Sequence, residues 1–129
     1  MILIIGGAYQ GKKEFVKKEF NLDEKDIYEI NNDSIIDISN KANIKCFNHF
    51  ERIINSIYKD NKEIKDIKDE LINILNDKII IFEDIFSGVV PMDKSLRIKR
   101  EMAGMLVNSL ANDSNMIYEI KLGISRRLK

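Results

Sequence analysis

Four apolar residues, Ile2-Leu3-Ile4-Ile5, run straight into the pair Gly6-Gly7. A short continuous apolar run closed by glycine predicts a strand buried on both faces, as in a parallel sheet. Residues 12–20 then read as a short helix, with Phe15, Val16 and Phe20 available for packing. Asp26 to Ile30 (DIYEI) predicts a second strand, and Asn31-Asn32-Asp33-Ser34 is turn chemistry. From there to about Lys45 the chain is polar with scattered isoleucines, and no element is assigned. At Phe47 the spacing turns helical: Phe47, Phe50, Ile54, Ile57 and Tyr58 share a face. A second helix follows, with Ile64, Ile67, Leu71, Ile74 and Leu75 on its apolar side and Lys62, Lys65, Asp66, Lys68 and Asp69 facing water.

Lys78 to Phe82 (KIIIF) carries the strongest strand pattern and ends in Glu83-Asp84. The loop SGVVPMD, with the only proline, leads to a helix over 94–111 whose apolar face carries Ala103, Leu106, Val107 and Leu110. Met116 to Ile120 predicts another strand, and Ile124 to Leu128 a last one after a turn at Gly123. Strands alternating with helices, with the first and the central strand apolar throughout, predict a three-layer α/β fold with a mostly parallel sheet. No repeat and no linker interrupts the 129 residues, so residues 1–129 read as a single domain.

Charge narrows the partners. Twenty-one basic and twenty-one acidic residues cancel, so the electrostatic footprint of a nucleic-acid binder is missing. The basic end Arg126-Arg127-Leu128-Lys129 is too short to restore it. Cys46 is the single cysteine, which excludes an intramolecular disulfide and Cys-rich zinc sites. The N-terminal apolar segment stops at Ile5, far short of a signal-peptide core or a membrane span. A cytoplasmic protein without a membrane span is the expectation.

The chemistry is concentrated in GGAYQGKK, residues 6–13. It fits the phosphate-loop pattern G-x-x-x-x-G-K-[ST] through Gly6, Gly11 and Lys12, with Gly7, Ala8, Tyr9 and Gln10 between. Such a loop works because glycines let backbone N–H groups curl around phosphate oxygens at a helix N-terminus, while the lysine reaches the outer phosphates. The last position normally gives a hydroxyl to Mg²⁺, but here it is Lys13, which has donors only. A cation would then rest on water and carboxylates. Glu83 and Asp84, at the C-terminal end of the central strand, are the candidates, because open α/β sheets bind ligands at that edge. Arg97 and Arg100 lie one turn apart and are placed to reach one phosphate or carboxylate together. His49 is the only histidine. It is read either as a helix-surface residue or as a nucleophile towards an α-phosphate.

Two blocks together carry a family resemblance. The opening MILIIGGAYQGK and the later GVVPMDKSLRIKREMAGMLVNSLANDSNMIYEIKLGI resemble the adenosylcobinamide kinase / adenosylcobinamide-phosphate guanylyltransferase family. Those proteins begin with a strand and a GGxxSGKS-type loop. They then carry a G-[IV]-V-P loop, an R-x-x-R-[DE]-x-x-G helix and a closing strand. Gly88, Val90, Pro91, Arg97, Arg100, Glu101, Gly104 and Asn108 hold the second match, and the two blocks cover about half the chain. The resemblance implies a P-loop NTPase-like fold, binding of ATP or GTP with Mg²⁺, and a homo-oligomer. It also implies two reactions: phosphorylation of the aminopropanol hydroxyl of adenosylcobinamide, a corrinoid, and transfer of GMP onto that phosphate through a guanylylated histidine. This chain departs from the pattern at Lys13 and has a shorter middle without a clear counterpart of one internal strand. It also lacks the family's histidine segment, so that only His49 in CFNHFERII stands near that place. A nucleotide-binding module without catalysis, or a small kinase for another acceptor, are the alternative readings.

Overall fold

The computed structural model describes residues 1–84 and 92–129. Gly88, Val90 and Pro91 of the resembled loop lie outside the described residues. Among the described residues six strands, β1 (Ile2–Gly6), β2 (Ile27–Glu29), β3 (Cys46–Asn48), β4 (Ile79–Glu83), β5 (Met116–Lys121) and β6 (Ile124–Arg127), form one sheet in the order β2-β3-β4-β1-β5-β6. Every pairing is parallel except that of β5 with β6. β1 therefore lies between two parallel neighbours, which is why it has no polar face.

Alternation along the strands sends side chains into two cores. Leu3, Phe47, Ile80, Phe82 and Ile117 point to one side, Ile4, Cys46, Ile79, Ile81 and Ile120 to the other. The second, smaller core is covered by α1 (Lys12–Glu19), through Val16 with Phe15 and Phe20. The larger core is covered by α2 (Ile35–Ser39), α3 (Ile53–Lys59), α4 (Ile64–Leu75) and α5 (Lys94–Asp113). Helices on both faces of a mostly parallel sheet make this the expected α/β architecture. No helix among the described residues is long and apolar enough to cross a membrane.

Two segments differ from the sequence expectation. The helix expected from Phe47 does not start there: Cys46-Phe47-Asn48 is β3, paired with β2 and β4, and only a 3₁₀ turn at Phe50–Arg52 and then α3 are helical. All three β3 residues are buried, and a three-residue strand is too short to show its own period. The spacing of Phe47 to Phe50 therefore looked helical although both rings belong to the sheet-side core. The unassigned stretch after Asn31-Asn32-Asp33 holds α2, started by a reciprocal cap in which Ser34 Oγ accepts from Asp37 N (3.2 Å) and Asp37 Oδ2 accepts from Ser34 N (2.8 Å).

Candidate functional site

The C-terminal ends of β1, β3 and β4 meet at one edge, and the glycine loop arches over it. Gly6 pairs with Glu83, and a Cβ on Gly6 would stand 2.5 Å from the Ile120 carbonyl oxygen. Only glycine lets the end of β1 pass β5 so closely. Gly11 ends the loop at φ 89°, just before α1, whose first turn receives no side-chain cap from the described residues. Between them, Gln10 clamps the loop to the β5–β6 turn. Its Oε1 accepts from Leu122 N at 2.6 Å and its carbonyl accepts from Gly123 N at 2.9 Å. Ala8 and Tyr9 are exposed, and the Tyr9 ring stands wholly in solvent.

Lys12 turns inward. It is 6% exposed, donates to the carbonyl of Gly7, and holds its ammonium 3.6 Å from Glu83 Oε1. Glu83 is also tied to a residue that the sequence did not single out: its backbone N–H donates to Glu51 Oε1 at 2.8 Å. Glu51 is buried just after β3, and burial pushes its carboxyl above the usual range against the opposing pull of the Glu83 N–H. His49 occupies a left-handed turn (φ 57°, ψ 44°) between two carboxylates. Its Nδ1 is 3.4 Å from Glu51 Oε2, and its Nε2 is 3.9 Å from Glu29 Oε2. Nδ1 is buried and makes no hydrogen bond among the described residues. His49, Glu51 and Glu83 can each direct one donor atom to a point within 4.8 Å of the others. Two carboxylates at this edge suit Mg²⁺, and the orphaned imidazole nitrogen adds a ligand that Mn²⁺ or Zn²⁺ accepts more readily.

Lys13 goes the other way. Its ammonium bridges Glu29 at 2.8 Å and Glu24 at 2.9 Å, both largely exposed. The hydrogen bond to Glu29, then that to Glu24, raise the Lys13 ammonium above its ordinary value. Burial works upward on Glu29, but its bonds from Lys13 and Asn48 outweigh it and hold the carboxyl below the usual range. The residue in the hydroxyl position thus fastens α1 to the end of β2.

Beside Glu51 and Glu83 opens a cleft of about 540 Å³, on the face of the sheet that carries α3 and α5. Ile5 and Phe82 form its floor, Ile54 and Asn55 one wall, and Leu96, Ala103, Gly104 and Val107 of α5 the other. Asp84 lines its rim, with its backbone N–H on the Gly6 carbonyl at 3.0 Å. The two arginines expected to act together are separated. Arg100 is half-buried and lines the cleft, whereas Arg97 is exposed and gives its Nη1 to the Met92 carbonyl at 2.8 Å. Three residues advance a helix by about 300°, so the two side chains diverge enough for one to serve its own helix start.

The structure therefore brings Gly6, Gly7, Gly11, Lys12, Glu83, Asp84 and His49 to one edge. Lys13 and Arg97 are engaged elsewhere. Glu51 was legible only as the acidic residue two places after the lone histidine, and nothing in the spacing distinguished it while 47–58 read as one helix. No protein-family model matches the chain, and no curated protein matches it.

Proposed function

We propose that this chain is a nucleotide-dependent transferase that holds ATP or GTP in the Gly6–Lys12 loop. The observation that carries this is Lys12. Its buried ammonium is fixed at the sheet edge between the loop it completes and Glu83 on the adjacent parallel strand. An unliganded phosphate loop with its lysine folded onto its own backbone is ready to exchange Gly7 and Glu83 for phosphate oxygens. Glu51 and Glu83, with His49 beside them, would hold a divalent cation, which supplies neutralisation of charge on the phosphates. In the transfer itself an acceptor hydroxyl oxygen bonds to the γ-phosphorus, the bond to the β–γ bridging oxygen breaks, and the nucleoside diphosphate leaves. The hydroxyl proton passes to the carboxylate of Asp84, which lines the cleft beside Glu83. In the resembled family a second reaction moves GMP through a histidine, and His49 would be its acceptor here.

The resemblance makes the aminopropanol arm of adenosylcobinamide the acceptor. A second reading, a small kinase for a different acceptor, is favoured by the cleft. A volume of about 540 Å³ is that of a small-molecule site, so a corrinoid would have to stand outside it with only its arm inserted. Calorimetric titration with ATP and GTP, each with and without Mg²⁺, tests the transferase reading. Mg²⁺-dependent micromolar binding supports it, binding indifferent to Mg²⁺ leaves a phosphate-binding module, and absence of binding overturns both.

A further inference from the structure

We infer that the cleft between α3 and α5 binds a small organic anion, an apolar body bearing one carboxylate or phosphate group, with Arg100 as its anion grip. As the acceptor of the transfer this rests on the transferase reading, but as a binding site it stands on three observations of its own.

The first is Arg100. It is half-buried in the cleft wall, and among the described residues it has no hydrogen bond and no ionic partner. The other cations that line the cleft are engaged. Arg52 gives Nη1 to the Ile30 carbonyl at 3.0 Å, and the Lys99 ammonium lies 5.2 Å from the centre of the Tyr58 ring. A partly desolvated guanidinium with all its donors free is a fork for a carboxylate or phosphate.

The second is Gly104. It sits in the middle of the 20-residue α5, where glycine costs a helix about 1 kcal/mol relative to alanine. Among the described residues nothing requires it: a Cβ there meets no atom within 4 Å, and its φ is not in the left-handed region. Gly104 lines the cleft and is exposed, so a side chain there would extend into open space at the cleft wall. The third is the lining. Ile5, Ile54, Phe82, Leu96, Ala103 and Val107 present an apolar surface, and Leu96 is 41% exposed within it. Arg100 on α5 and the carboxylates at the strand ends therefore lie across an apolar space. An anion held by Arg100 with a hydroxyl at its far end is complementary to both.

The probe pair is 1-naphthylacetate and its neutral isostere 1-naphthylacetamide, titrated into ¹⁵N-labelled full-length protein without nucleotide and followed by amide shifts. The carboxylate is expected to move the amides of Ile5, Phe82, Ala103 and Val107, and to bind at least about tenfold more tightly than the amide. Arg100→Met, which keeps the stem, should erase that difference. Gly104→Leu should abolish binding while raising thermal stability, which shows that the variant is folded. Equal binding of the two probes, an unchanged preference in Arg100→Met, or parental affinity in Gly104→Leu overturns the inference. ATP titrated into the same samples separates the two readings. Cleft binding without nucleotide binding supports the cleft and removes only its role as acceptor site. Nucleotide binding with no discrimination between the probes overturns the cleft alone.

Discussion

Two clusters of opposite charge flank His49, and they are built on neighbouring lysines. The inner one joins Lys12 to Glu83 and, through the Glu83 N–H, to Glu51, with side-chain exposures of 6%, 15% and 4%. The outer one joins Lys13 to Glu29 and Glu24, with exposures of 27%, 45% and 66%. Water makes the difference. In the outer cluster the partners satisfy each other, and the Glu29 carboxyl is pulled down. In the inner cluster burial dominates, and the Glu51 carboxyl is pushed up. The outer cluster is an ordinary surface clip, whereas the inner one keeps charge out of water at a sheet edge, where a ligand can compensate it.

The largest effect expected from this contrast is on nucleotide affinity. Lys12→Ala should remove a charge-assisted contact of about 1.5–3 kcal/mol, or one to two decades in Kd by calorimetry. Lys13→Ala should leave Kd within about twofold, since its ammonium is held by Glu24 and Glu29. Equal losses from the two variants would erase the distinction between the clusters.

The next effect is on stability against pH. The folded-state value of Glu51 is raised, so the folded chain is penalised as pH climbs from the ordinary glutamate range through that raised value. Glu51→Gln keeps an acceptor for the Glu83 N–H and removes the penalty. It should melt above the parent at pH 8, with the gap closing as the pH falls towards the ordinary glutamate range. Glu29 carries the opposite sign. Its folded-state value is lowered, so its contribution is full above the ordinary glutamate range and is lost as pH falls through the lowered value. A Glu29→Gln variant should therefore melt below the parent above that range, with the gap closing as pH falls from it through the lowered value. Thermal melts from pH 2 to 8 read both signs.

The smallest effect is structural. Lys13→Ala should lower Tm by no more than a few degrees, because exposed ion pairs contribute little, and added salt should shrink the difference further. A loss of more than about 10 °C would mean that the outer cluster holds the fold together far more strongly than a surface clip can.

How much of this could be read in advance depended on element length. β1 and β4 are uninterrupted apolar runs, and α4 and α5 are long enough for their apolar spacing to repeat several times, so all four were legible. β3 has three residues, and Phe47 and Phe50 stand at a spacing that fits a helix face equally well. That one confusion placed His49 on a helix and concealed Glu51, because a residue's place at the sheet edge follows from which strand precedes it. The capping signature Ser34-x-x-Asp37 was present, but an α2 of five residues left no periodic stretch to confirm it.

By itself the sequence determined the alternation of strands and helices, the glycine-rich loop between β1 and α1, and the absence of a hydroxyl after Lys12. These are local matters of backbone freedom, period and donor chemistry. The tertiary structure alone decided that β4 lies next to β1 and β3 next to β4, so that Glu83 meets Lys12 and Glu51 meets Glu83. It likewise decided that Lys13 turns to Glu29 and that Arg100 but not Arg97 lines a cleft. Strand order and helix rotation are set by the burial of two whole cores, and no short stretch of sequence carries that information.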